Sequence, residues 1–161
     1  MDSFVTIRFI RTRGFVTAAI CFVTNSLMSH VEFGTPEGTW IGAHSDGGVQ
    51  ERPADYCKPA QQWVYRIPCT IDQATSLLRM ARAAVGTPYN FTDIAGLLFH
   101  LRRLTKSDRV ICSQFCFFLL DAVGIKMLNV LPAFAHLVTP ETLHLSPKLI
   151  GRMYRPGPGS K

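Results

Sequence analysis

Apolar and polar positions change rhythm several times along the chain. Phe4 to Ile10 alternates loosely, the period of a short strand, and Arg11 to Gly14 breaks it with charge and glycine. Phe15 to Thr24 is apolar almost throughout and reads as a buried helix stopped by Asn25 and Ser26. Three strand-like pieces follow, Ser29 to Phe33, Thr39 to Ala43 and Gln61 to Ile67. The loop Gly34-Thr35-Pro36-Glu37-Gly38 joins the first two as a hairpin, with proline and glycine suited to the turn. Ser45-Asp46-Gly47-Gly48 makes a second turn, and Gln50 to Pro53 leads toward the third piece, so the pattern predicts an antiparallel meander. After Pro68 the period becomes helical, with Thr70 as N-cap, Leu77, Leu78, Ala81 and Val85 on one face, and Gly86 as the stop. Phe91 to Leu104 and Ile111 to Val123 are further helices, the second closed by Gly124. Thr139-Pro140-Glu141 starts a short helix, and Ile150 to Tyr154 suits a last strand. These elements predict an α+β fold in which an antiparallel meander sheet packs against helices.

Length and composition narrow the picture. The chain has 161 residues and 17.9 kDa, the size of one domain, expected over residues 1–155 and followed by a Pro/Gly/Ser tail at 156–161. Charged residues make up 17%, against a usual share of about 25%, which excludes a disordered chain or a coiled coil. The longest apolar run, Phe15 to Val23, is far below the ~20 residues of a membrane span. Arg8, Arg11 and Arg13 before that run imitate a secretory signal, but no small-residue cleavage site follows, so a cytoplasmic location is the default expectation. The net charge of +6 favours acidic partners such as nucleic acid, anionic lipid or an anionic cell-wall polymer. The basic residues are scattered, without a continuous stripe interleaved with aromatics, so no specific nucleic-acid partner is expected.

The five cysteines, Cys21, Cys57, Cys69, Cys112 and Cys116, show neither a CxxC pair nor zinc-finger spacing. Cys21 and Cys69 read as core residues. Cys112 follows the polar Lys106 to Arg109 and opens an apolar helical run, which places it at a helix N-terminus. Unpaired N–H groups and the positive end of the helix dipole favour a thiolate there. Cys116, one turn further in, would be buried and inert. A base must come from elsewhere, and His30 in Ser29-His30-Val31-Glu32-Phe33 is placed to supply it, sharing a strand face with Glu32 and Gly34. The hairpin brings His44 close, and His44, Asp46 or Glu32 could orient the far nitrogen of the base. A zinc site of His30, His44 and Cys112 is the competing use of the same residues, and a non-enzymatic basic binding module is a third possibility. No ligand-spacing motif supports the zinc site.

The order of these residues resembles the circularly permuted branch of the NlpC-like cysteine peptidases, including the YiiX-like proteins. Ser29 to Phe33 looks like that family's histidine strand, and Cys112-Ser113-Gln114-Phe115 like its Cys-Ser-Glu-Leu helix start. Gly86-Thr87-Pro88-Tyr89 is similar to its Gly-x-Pro-Tyr segment, and Thr139-Pro140-Glu141-Thr142-Leu143 to its Thr-Pro-x-x-Leu feature. The resemblance covers roughly residues 4 to 150 and implies a papain-like fold, Cys112 as nucleophile, His30 as base and a polar third residue, with no cofactor and no metal. It also implies that Tyr89 stands near the oxyanion and that the substrate is an amide, foremost a peptidoglycan stem peptide. Some members of that branch transfer acyl groups on lipids, which leaves a lipid ester or thioester open. His100, His136 and His144 match no family position and read as surface or helix-end residues.

Overall fold

The computed structural model describes residues 3–13, 17–18, 21–22, 26–89, 111–129 and 137–156, the last six as backbone alone. Six antiparallel strands form one sheet: β1 (Ser3–Arg11), β2 (His30–Gly34), β3 (Trp40–His44), β4 (Gly48–Arg52), β5 (Gln61–Cys69) and β6 (Ile150–Pro156). Their order is β4-β3-β2-β1-β5-β6. Among the described residues, three helices with defined bounds accompany them: α1 (Ile71–Ala83), α2 (Cys112–Ala122) and α3 (Pro140–His144). None of the described helices is long and apolar enough to cross a membrane.

The simple meander holds for β2, β3 and β4 and then fails. Instead of pairing beside β4, β5 crosses to the free edge of β1, Val5 opposite Ile67 and Phe9 opposite Trp63. The reason is burial: β1 carries Val5, Ile7, Phe9 and Ile10, all buried, so it belongs at the sheet's centre with both edges paired. Trp63, Tyr65 and Ile67 of β5 alternate inward in the same core. β4, not expected as a strand, pairs along its whole length with β3, from Trp40 opposite Arg52 to His44 opposite Gly48. Its sequence Gly48-Val49-Gln50-Glu51-Arg52 has one strongly apolar side chain, Val49, so no alternation announced it. β6 runs through Pro156, one residue past the expected domain edge.

α1 opens with the expected Thr70 cap, completed as a reciprocal capping box with Gln73. Its buried face is Ala74, Leu77 and Ala81; Leu78 is partly buried, and Val85 lies beyond the helix, half exposed. α2 is ended by Gly124 at φ +78°, whose N–H donates to Asp121 O. Thr139 caps α3 with Pro140 in its first turn, as the sequence implied. Of the helix expected over Phe15 to Thr24, residues 17, 18, 21 and 22 are described and helical, whereas Phe91 to Leu104 lies outside the described residues. All five cysteines are free thiols; Cys21 and Cys69 are half-buried rather than core.

Candidate functional site

β2 starts at His30, and its register against β1 sets Arg8 opposite Glu32. The hairpin is closed by Thr35 and Thr39, whose hydroxyls lie 2.6 Å apart, and it sets Phe33 opposite Ile41. Continued along the two strands, that register brings Glu32 beside Gly42 and His30 beside His44. Gly42 is required there by close approach. A Cβ would stand 2.8 Å from the Glu32 Cβ and 3.3 Å from His30 Nε2.

Glu32 is fully buried and heavily bound. The Nε of Arg8 donates to its Oε1 at 2.7 Å, with a second contact from Arg8 Nη2. The Tyr56 hydroxyl donates to the same carboxylate at 3.1 Å from Oε2. The Arg8 guanidinium also lies 4.0 Å over the Trp40 ring, so a buried cation is held by a carboxylate and by an aromatic face. On the other side of Glu32, Oε2 is 3.6 Å from His30 Nε2 and 3.8 Å from His44 Nε2. The two imidazole rings are 4.6 Å apart and tilted by 40°. Both Nε2 atoms are buried, and neither has a hydrogen-bond partner.

Cys112 is the first residue of α2, and the N-cap residue Ile111 offers no side-chain cap. The positive end of the helix dipole therefore favours a negative charge at this position. α2 packs Phe115 against Phe33, ring centroids 6.4 Å apart. His30 thus meets the helix at the first residue of its strand rather than from the middle of a strand face. There the Cys112 side chain is in hydrogen-bonding contact with His30 and with Tyr89. Tyr89 is set in place by its segment. Val49 N donates to Thr87 O at 2.8 Å and Gly86 N to Val49 O at 2.9 Å, stitching this segment onto β4. Gly48 permits the approach: its φ is +77°, and a Cβ on it would fall 2.1 Å from Thr87 O. Ser113 Oγ donates to Val138 O at 2.6 Å, tying the start of α2 to the residue before the Thr139 cap.

The ionisation pattern follows from these contacts. Burial alone would lower the His30 pKa. Hydrogen bonding and charge from Cys112, and then the negative charge of Glu32, outweigh it and hold the ring up to about 10. Burial opposes the charge on Glu32 in the same way, but His30 and then Arg8 bring its pKa down to about 2. His44 goes the other way: burial and the positive His30 push it down to about 3. One imidazole of the stacked pair is thus charged and the other neutral. Burial pushes the Cys116 thiol well up, consistent with an inert core cysteine.

Of the residues marked from the sequence, His30, Cys112, Tyr89, Glu32 and His44 come together. Asp46 does not; it points to solvent and pairs with Arg52 at 2.6 Å. His144 ends α3 but turns inward, its Nε2 2.6 Å from the Tyr65 hydroxyl, and His100 and His136 lie outside the described residues. Sequence reasoning missed Arg8 and Tyr56. Arg8 had a signal, a cation flanked by Ile7 and Phe9 in a strand, whereas Tyr56 lies in a loop without periodicity.

No family model matches the chain, and no curated protein matches it. Among solved structures, the metalloprotein yiiX from Escherichia coli O157:H7 superposes with a TM-score of 0.68 at 17% identity, covering 94% of this chain and 96% of that one. The chain therefore has a YiiX-like α+β fold. Two donors at ~2.0–2.2 Å from one tetrahedral ion stand roughly 3.3–3.6 Å apart. Two orphaned imidazole nitrogens at 3.6 and 3.8 Å from one carboxylate oxygen come close to that spacing, and the residues fit a metal.

Proposed function

We propose that the chain is a cysteine hydrolase of the permuted papain-like type, acting on an amide. The observation that carries this reading is the Cys112 side chain at the N-terminus of α2, in hydrogen-bonding contact with His30 and Tyr89. In this reading the Cys112 sulfur attacks the carbonyl carbon and forms a thioester, while His30 delivers the thiol proton to the leaving amine. Water then attacks the thioester with His30 as base, releasing the acid and restoring the thiol. The Cys112 backbone N–H and the Tyr89 hydroxyl are the donors available to the oxyanion. Glu32 is the group placed to orient His30, being 3.6 Å from its Nε2 and itself fixed by Arg8 and Tyr56. His44 stacks on His30 without a hydrogen bond from its Nε2, which suits a neutral wall for the charged ring.

The substrate we favour is a peptidoglycan stem peptide. Support comes from the motif resemblance and from the net charge of +6, which suits an anionic wall polymer. The test is turnover of wall fragments beside lipid esters by the wild type, Cys112→Ala and His30→Ala. Release of an amine from a stem peptide by the wild type, abolished in both variants, supports the reading. Ester cleavage alone would move the substrate class to lipids. Activity that survives in Cys112→Ala would end the cysteine mechanism.

A further inference from the structure

We propose that His30, Glu32 and His44 form a binding site for one divalent first-row transition metal ion of zinc type. Their ligand atoms, two imidazole Nε2 and one carboxylate oxygen, all lie within 4.8 Å of one another. The two nitrogens are buried with their lone pairs or protons unmatched, an arrangement that costs free energy unless something answers it. A metal ion answers both at once. The donor chemistry selects the class of ion: imidazole suits zinc, copper, iron and nickel, whereas magnesium and calcium take oxygen ligands. Two histidines and a glutamate leave a tetrahedral ion one open position, which distinguishes this from a closed structural site.

The surroundings supply what such ligands need. Arg8 and Tyr56 bind Glu32 as an outer shell that fixes its orientation, Arg8 on Oε1 and the Tyr56 hydroxyl donating at 3.1 Å to Oε2, the oxygen that also faces the histidines. Gly42 keeps the space beside His30 Nε2 open, since any side chain there would project against it. The Cys112 thiol stands outside the convergent set, so the site differs from a His/His/Cys arrangement. Bound there, a zinc ion would supply Lewis acidity at its open position. It would also withdraw His30 from proton transfer, because a neutral ring bonded to the metal through Nε2 carries its proton on Nδ1 and has no lone pair left to accept another. That last consequence rests on the hydrolase reading; the binding itself does not.

Isothermal titration of the full metal-free chain with Zn²⁺, with Mg²⁺ as comparison, tests the site directly, and Co²⁺ absorption reports its geometry. We expect one equivalent of zinc, no magnesium binding, and tetrahedral d–d bands from cobalt. His44→Ala should weaken zinc by more than about 100-fold, since losing even an outer-shell partner costs ~10–100-fold. His44→Gln, checked for folding by circular dichroism, gives the same reading if the alanine variant is unstable. Cys112→Ser should retain full affinity. No zinc binding, binding that survives loss of His44, or binding lost in Cys112→Ser would each overturn the site. A slow Cys112 thiol in the apo protein would count against the hydrolase while leaving the titration unaffected.

Discussion

At the scale of single residues, the organising group is Glu32, a carboxylate with no solvent exposure that serves a cation on one side and two histidines on the other. Breaking a buried pair leaves an uncompensated charge, so Arg8→Met should lower stability by about 3–5 kcal/mol, read as a shift in the urea midpoint. His30→Ala should cost ~10²–10⁴-fold in kcat, the range for a general acid–base group. Glu32→Gln should reduce kcat more than His44→Ala does, because Glu32 can hold the ring of His30 while His44 only stacks on it. An equal or larger loss in His44→Ala would transfer the orienting role to that histidine. His30, Cys112 and Tyr89 were legible because each sits in a short motif with a local signal: strand alternation, a helix start, a glycine-proline turn. The Arg8–Glu32–Tyr56 network was not, since it joins residues 24 positions apart on either side of Glu32, Arg8 through strand register and Tyr56 from a loop.

At the scale of elements, the site depends on three junctions: β2 with β3, β4 with the segment carrying Tyr89, and α2 with the start of α3. The second is the most vulnerable, because Gly48 combines a left-handed backbone with a close approach to Thr87. Gly48→Ala should destabilise the fold by more than about 1 kcal/mol and lower kcat with it, as Tyr89 leaves Cys112. Restored stability with lost activity in a second-site suppressor screen would separate the two effects. Thr139→Ala removes the α3 cap and should cost about 0.5–2 kcal/mol by thermal unfolding. Helix caps were visible in the sequence because a cap is a contact between residues three apart. β4 was hidden because its pairing partner, β3, rather than its own pattern, makes it a strand.

For the whole molecule, sheet order is what the chain's local patterns conceal. Five of the six strands were predicted near their observed places, yet the order β4-β3-β2-β1-β5-β6 follows from which strand has the most to bury. β1, buried along most of its length, takes the centre, and α2 then delivers Cys112 to the end of β2 where His30 begins. The central claim is that this junction makes one thiol out of five a nucleophile. The most direct measurement is peptide mass mapping after brief exposure of the metal-free chain to a thiol-reactive acyl probe, in the wild type and in His30→Ala. The account predicts a thioester on Cys112 well ahead of Cys21, Cys57, Cys69 and Cys116, and its loss in His30→Ala. Acylation spread evenly over the accessible thiols, or a Cys112 adduct that forms equally fast without His30, would contradict it.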